Sequence, residues 1–453
     1  MTDIASLVDD RPAEGIFRVR REIFRDREVF QREIEQIFEG TWVFVGLESQ
    51  IRNPNDFFTT YIGRQPVLVT RDRNGELHCF HNTCRHRGTI VCPFQNGNAK
   101  LHVCRYHGWS YDAAGINRAI TDQADGQYPD AFTQADHNLI SVARFGNYRG
   151  LLFASLSPDV PSLEEHLGDA RAFLDIVLDQ SDKGFEFVPG PVIYTYDGNW
   201  KLQFENGLDF YHFNTTHSAY VDVLARRAKA FPYTGPTYPE DQESADDAQG
   251  TFSFARGHSV MYSIRQNARG RRPFMVDRDV LRAAGERVGR DRLRWMLRQR
   301  NLTIFPNLQI IDITSLQLRT WRPLAPDRTE MTSHCMAPID EAPEARRMRI
   351  RQYEDFFNPS GLATSDDNVM YEYCQSGYDA EADGWTQGYV RGMADGLGSD
   401  RVRDMTTALN ITPAAATYGS LSFGDETCFQ AGYREWKRLL SQPKTPRLPS
   451  AAF

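Results

Sequence analysis

Four residues constrain this chain more than any others: Cys84 and His86, then Cys104 and His107. The pattern is Cys-x-His, seventeen intervening residues, then Cys-x-x-His. Two thiols and two imidazoles in mixed order suit a tetrahedral zinc site. They also suit a [2Fe–2S] cluster with two thiolates on one iron and two imidazoles on the other. Zinc sites usually pair like with like. Here each short loop offers one Cys and one His, so each loop can reach both irons. Gly88 and Gly108 lie just beyond the two histidines and let the backbone turn closely beneath a cluster. The arrangement favours the cluster over a zinc knuckle.

The rest of the chain is that of an ordinary globular protein. Its 453 residues suffice for two or three domains. With 41% hydrophobic and 25% charged residues it needs no special class. A net charge of −8 with no basic stripe argues against a nucleic-acid partner. The longest apolar runs are too short to span a membrane. The start has neither a basic nor an apolar leader region, so no signal peptide is expected. Seven cysteines, an odd and low number, point to buried thiols in a cytoplasmic protein once Cys84 and Cys104 are set aside.

Residues 1–20 are polar and read as an arm with little structure of its own. Phe30, Ile34, Ile37 and Phe38 then form one apolar helical stripe. From about residue 40 the period changes to two. Short strands are expected at 57–63, 66–70 and 77–80, with Asn74-Gly75 as a hairpin turn. Both ligand loops follow strands, so residues 40–160 read as a small all-β domain with two metal-tipped loops. His78, His81 and His102 fall outside the ligand spacing and read as structural. The expected division is an arm and helix over 1–39, the cluster domain over 40–160 and a larger domain over 161–453.

A second pattern lies in that larger domain: Glu205-Asn206-Gly207-Leu208-Asp209-Phe210-Tyr211-His212, with His217 after it. A mononuclear non-haem Fe(II) site takes two His and one carboxylate on one face, leaving the opposite positions open. Five residues turn an ideal helix by about 140°, so His212 and His217 cannot share an ion unless the helix is bent or interrupted. Asp209, one turn before His212, suits a role in orienting a histidine. His-x4-His is weak evidence alone. A cluster motif upstream strengthens it.

These motifs resemble those of the Rieske non-haem iron ring-hydroxylating dioxygenases, large (α) subunit, in the benzoate/toluate/anthranilate 1,2-dioxygenase branch. The supporting stretches are Ile37–Trp42, Gly63–Pro66, Cys84–Gly88, Cys104–Trp109, Asp197–Lys201, Glu205–Asp209 and Arg351–Asn358. The resemblance implies that Cys84, His86, Cys104 and His107 hold a Rieske [2Fe–2S] cluster. It implies that His212 and His217 hold a mononuclear Fe(II), and that Asp209 bridges a cluster histidine of a neighbouring subunit to the iron site. Asn206 and Asp209 are the expected catalytic residues. The third iron ligand is expected from the helix opened by Ser365-Asp366-Asp367-Asn368. Asp367 is chosen because Glu372, five residues on, keeps the family's spacing. The structural alternative is that Ser365 is an N-cap and both acids favour the helix dipole.

Phe210, Phe213 and Ile310 are the expected pocket residues. Residues 238–250 read as an acidic solvated loop, and 276–300 as a charged helix whose arginines face solvent. Strands follow at 302–305, 308–313, 315–319 and 331–336, and a helix at about 425–440 places Phe429, Tyr433, Trp436 and Leu440 on one face. The expected fold is α+β, with an antiparallel sheet covered by helices behind the small β domain.

The implied activity adds both atoms of O2 to a monocyclic aromatic carboxylate, giving a cis-dihydrodiol. NADH supplies the electrons through a reductase with flavin and [2Fe–2S]. A small β subunit and a trimer of α, or α3β3, are the implied partners. Three rivals remain: an aromatic-acid monooxygenase of the same architecture, a Rieske electron carrier without chemistry of its own, and a zinc-stabilised binding protein.

Overall fold

A computed structural model describes residues 3–230, 249–263, 272–275, 278–380, 384–393, 400–418 and 424–443. The chain forms two compact units. One is Ile34–Leu163; the other takes the N-terminal residues up to Glu33 together with Glu164–Gln442.

The smaller unit is built of strands. Leu77–His81, Gln65–Arg71, Asp56–Ile62 and Asn96–Asn98 form one antiparallel sheet in that order. Two three-stranded sheets accompany it. The Asn74-Gly75 turn is closed by Asp72, whose Oδ1 accepts from the backbone N–H of Asn74 and Glu76. Alternation along Gln65–Arg71 sends Val67 and Val69 into one core and Leu68 into another. The Leu68 core also holds Cys84, Cys104, Trp109 and Tyr111. One face of that strand thus packs against the two loop thiols.

The larger unit has a nine-stranded antiparallel sheet. Its main path runs Phe185–Phe187, Arg328–Pro338, Leu316–Ala325, Leu308–Asp312, Gln299–Ile304, Ser259–Ser263, Gln249–Ser253 and Ala415–Tyr418. Val192–Tyr196 pairs with Arg328–Pro338 off that path. Helix Cys428–Leu440 packs on this sheet and buries Phe429, Tyr433, Trp436 and Leu440. Fold class is therefore α+β, as expected.

Four local expectations fail. The N-terminal arm is a hairpin: Val8–Arg11 pairs with Ile16–Arg20, and Trp385–Thr386 adds a third strand. Phe17 and Val19 alternate inward and are buried, which gives the segment its reason to order. The charged helix at 276–300 is two helices, Arg278–Val288 and Arg290–Leu297, broken at Gly289 with φ 82°. Arg298 and Arg300, at its far end, are buried rather than solvated, and Arg300 is ion-paired with Asp312. Ser365 does not cap its helix, which starts at Thr364; its hydroxyl donates to the Gly361 carbonyl. Of the acidic stretch 238–250, residues 238–248 lie outside the described residues, while Gln249 and Gly250 begin a strand. Among the described residues no helix is long and apolar enough to cross a membrane.

Candidate functional site

In the smaller unit the two ligand loops share one backbone design. Gly88 N–H donates to the Cys84 carbonyl at 2.9 Å, and Gly108 N–H to the Cys104 carbonyl at 2.9 Å. Gly88 and Gly108 have φ of 73° and 74°, a conformation that excludes most side chains. Cys84 and Cys104 are buried free thiols; His86 and His107 are exposed, with ring centroids 4.4 Å apart. Tyr111 Oη lies 3.3 Å from Cys84 Sγ. Burial pushes the Cys84 thiol pKa up. A thiolate at that position needs a cation beside it, so the donor set fits a metal cluster with thiolates inside and imidazoles at the rim.

The second site begins with helix Trp200–Asn206. Asn199 caps it, accepting from Lys201 N–H at 3.0 Å. Glu33, fully buried, accepts from Lys201 Nζ at 2.6 Å, Trp200 Nε1 at 2.9 Å and Trp436 Nε1 at 2.6 Å. The Asn-Trp-Lys motif therefore anchors the helix rather than performing chemistry. At its C-terminal end Gln309 Nε2 donates to the carbonyls of Gln203 and Phe204, and Asn301 Nδ2 to that of Gly207. The Gln203 carbonyl also accepts from Gly207 N–H at 3.3 Å, while those of Phe204 and Gly207 are ones that a helix end leaves open. A Cβ at Gly207 would lie 1.8 Å from Gln309 Nε2, so the close approach requires glycine.

After this anchored end the chain turns through Leu208–Asp209 to the short helix Phe213–Thr216. His212 precedes that helix and His217 ends it, with φ −101° and ψ 32° before helix Ser218–Ala230 begins. The interruption removes the 140° conflict. His212 Nε2 and His217 Nε2 lie 3.2 Å apart. Asp367 Oδ1, from helix Thr364–Gly377, is 3.4 Å from the first and 3.1 Å from the second. The three residues form a group able to hold a metal ion. His212, His217 and Asp367 would hold such an ion, and with only three protein ligands it would supply open positions for O2.

Each member of this group is held from behind. Asp209 Oδ2 lies 3.0 Å from His212 Nδ1, while its Oδ1 accepts from the Tyr211 backbone N–H. Asp366 Oδ2 lies 3.5 Å from His217 Nδ1. Asn206 Nδ2 donates to Asp367 Oδ1 at 3.1 Å. Burial works against a charged His212, but Asp209 and Asp367 outweigh it and raise its pKa to about 10. Burial also opposes the Asp367 carboxylate, yet His212 and His217 hold its pKa well below the usual range. The site thus favours positive charge at the point where the three atoms meet, which fits a bound divalent cation.

A cleft opens onto these residues. Phe210, Phe213, Ile311, Ile313 and Phe356 give it apolar walls. Ile310 is not among its lining residues and is a correction to the expected pocket. Alternation along Leu308–Asp312 turns Ile311 to the cleft and leaves Ile310 buried on the other face. The lining residues that were not anticipated include Asn301, Arg319 and Phe356. Phe356 lay in a stretch of family resemblance. Asn301 and Arg319 carry no local signal, because they reach the cleft only through strand register.

Comparison with known proteins agrees with this anatomy. Residues 178–441 match the family described as "Ring hydroxylating alpha subunit (catalytic domain)", and residues 41–131 the "Rieske [2Fe-2S] domain". The toluate 1,2-dioxygenase subunit alpha of Pseudomonas putida is 43% identical, over 83% of this chain and 82% of its own. The anthranilate 1,2-dioxygenase large subunit of Acinetobacter baylyi is 41% identical, over 84% and 82%. The crystal structure of naphthalene 1,2-dioxygenase from Rhodococcus sp. bound to indole superposes with a TM-score of 0.78 at 26% identity, covering 94% of this chain and 95% of that one. Two cluster loops of one design, and two histidines with an aspartate converging beside an aromatic cleft, thus lie within matched sequence: the chain belongs to the ring-hydroxylating dioxygenases as an α subunit, with a Rieske [2Fe–2S] cluster and a non-haem iron centre as its cofactors.

Proposed function

We propose that this subunit dihydroxylates a monocyclic aromatic carboxylate of the benzoate, substituted benzoate or anthranilate type. The observation that carries the reading is the aromatic-walled cleft opening on His212, His217 and Asp367. The two aromatic-acid dioxygenase relatives support the substrate class. Both atoms of O2 join the ring, NADH supplies the electron pair and a proton, a second proton comes from solvent, and a cis-dihydrodiol results.

In this reading His212, His217 and Asp367 hold the iron, and Cys84, His86, Cys104 and His107 hold the cluster. When bound, these groups supply O2 activation at open coordination positions and electron delivery. The protein's own residues do the rest. Phe210, Phe213, Ile311 and Phe356 hold the ring and keep water out. Asp209 and Asp366 fix the two imidazole rings, and Asn206 fixes the Asp367 carboxylate. Asp209 also bridges towards His107 of the partner subunit, which makes the working assembly a ring of α subunits, a trimer or α3β3 with a small β subunit. A flavin- and [2Fe–2S]-containing reductase feeds it, and the enzyme works in the cytoplasm.

Turnover of a panel of benzoates, with reductase, NADH and 18O2, tests the reading. A product carrying both labelled oxygens is the expected result. One labelled oxygen makes the enzyme a monooxygenase, and no turnover of any aromatic acid overturns the substrate class.

A further inference from the structure

We propose that Arg319 is the residue that binds the substrate's carboxylate, an inference that rests on the aromatic-acid reading above and names its recognition element. Arg319 sits on strand Leu316–Ala325, is 4% exposed and lines the same cleft as His212, His217 and Asp367. Its pairing with Gln309 on one neighbouring strand and Ser333 on the other sets it in mid-sheet. Arg319 Nε is buried and has no hydrogen-bond partner.

The other buried arginines are compensated. Arg272 and Arg300 share Asp312, and Arg349 pairs with Glu341. Arg298 lies over the rings of Trp295 and Tyr262. Among the described residues the Arg319 side chain makes no hydrogen bond, ion pair or ring contact. Asp367, the buried acid of the same cleft, is taken by His212, His217 and Asn206. The phenols near Arg319 cannot supply a negative charge: burial raises Tyr194 and pushes Tyr353 up to about 12. A buried guanidinium without a counter-charge is costly and rare. Its planar fork matches a carboxylate in two parallel bonds. An arene acid entering this cleft brings the missing anion, and its ring meets the apolar walls.

The test is binding to the assembled holoenzyme, measured by equilibrium dialysis without NADH. Benzoate and benzamide share a ring and differ in charge. Wild type is expected to prefer benzoate. Arg319→Met should weaken benzoate roughly 10- to 100-fold and leave benzamide nearly unchanged, with cluster spectrum and iron content intact. Arg319→Lys, which keeps the charge without the fork, should recover part of the loss. Should Arg319→Met not fold, Arg319→Gln is read in the same way. Equal losses for both ligands, or an unchanged benzoate affinity, overturn the assignment while the aromatic-acid reading stands. A wild type that prefers benzamide overturns both.

Discussion

Asp366 Oδ2 lies 3.5 Å from His217 Nδ1, as Asp209 Oδ2 lies 3.0 Å from His212 Nδ1. Adjacent acids on one helix therefore divide the work: Asp367 meets the two Nε2 atoms and Asp366 stands behind one of the rings. Asp366 has a side chain 40% exposed, against 10% for Asp367. Asp366→Asn is expected to weaken iron binding by about 10-fold, at the low end for a residue orienting a ligand. Iron retained per chain after dialysis against a graded chelator checks it.

His212→Ala, His217→Ala and Asp367→Ala should each lower iron from about three to about two per chain. The visible absorbance of the cluster should persist in all three, because its thiols sit in a separate core. Metal analysis beside the absorption spectrum decides the outcome. Loss of iron from Asp366→Ala with retention in Asp367→Ala would reverse the two roles.

Asp209→Asn keeps the shape of the turn but removes the charge beside His212. The variant should retain the cluster, still fill its iron site when iron is supplied in excess, bind substrate, and lose most of its turnover. Rapid mixing with reductase should show the cluster still reduced quickly and reoxidised slowly. Turnover at the wild-type rate would remove Asp209 from the electron path.

Gly207→Ala should destabilise the larger unit by about 1–3 kcal/mol, the usual cost of overpacking. Its Cβ must displace the Gln309 amide, which donates to the Gln203 and Phe204 carbonyls and accepts from Gln203 Nε2 at 3.0 Å. The shift of a chemical-denaturation midpoint reads this directly. Gln309→Ala alone should leave the Phe204 carbonyl open and also destabilise, so the double variant should cost less than the sum.

Much of this protein was determined by the sequence alone, because its ligand chemistry is local. Cys84 with His86, and Cys104 with His107, would each meet metal through one tight turn, so their spacing survives any packing. His212 and His217 are equally close, and the conflict between five residues and a regular helix already demanded the interruption found at His217. Tertiary structure decided whatever depended on register and helix rotation. Asp366 and Asp367 are chemically alike, and only the placement of helix Thr364–Gly377 against the histidines separates them. Ile310 and Ile311 differ by one step of strand parity, which sends one to the core and the other to the cleft. Arg319 becomes distinctive only once packing has provided counter-charges for Arg272, Arg300 and Arg349 and left its own fork facing the cleft unpaired. Spacing along the chain carries short-range chemistry; orientation across a sheet is fixed by long-range pairing, which no local pattern encodes.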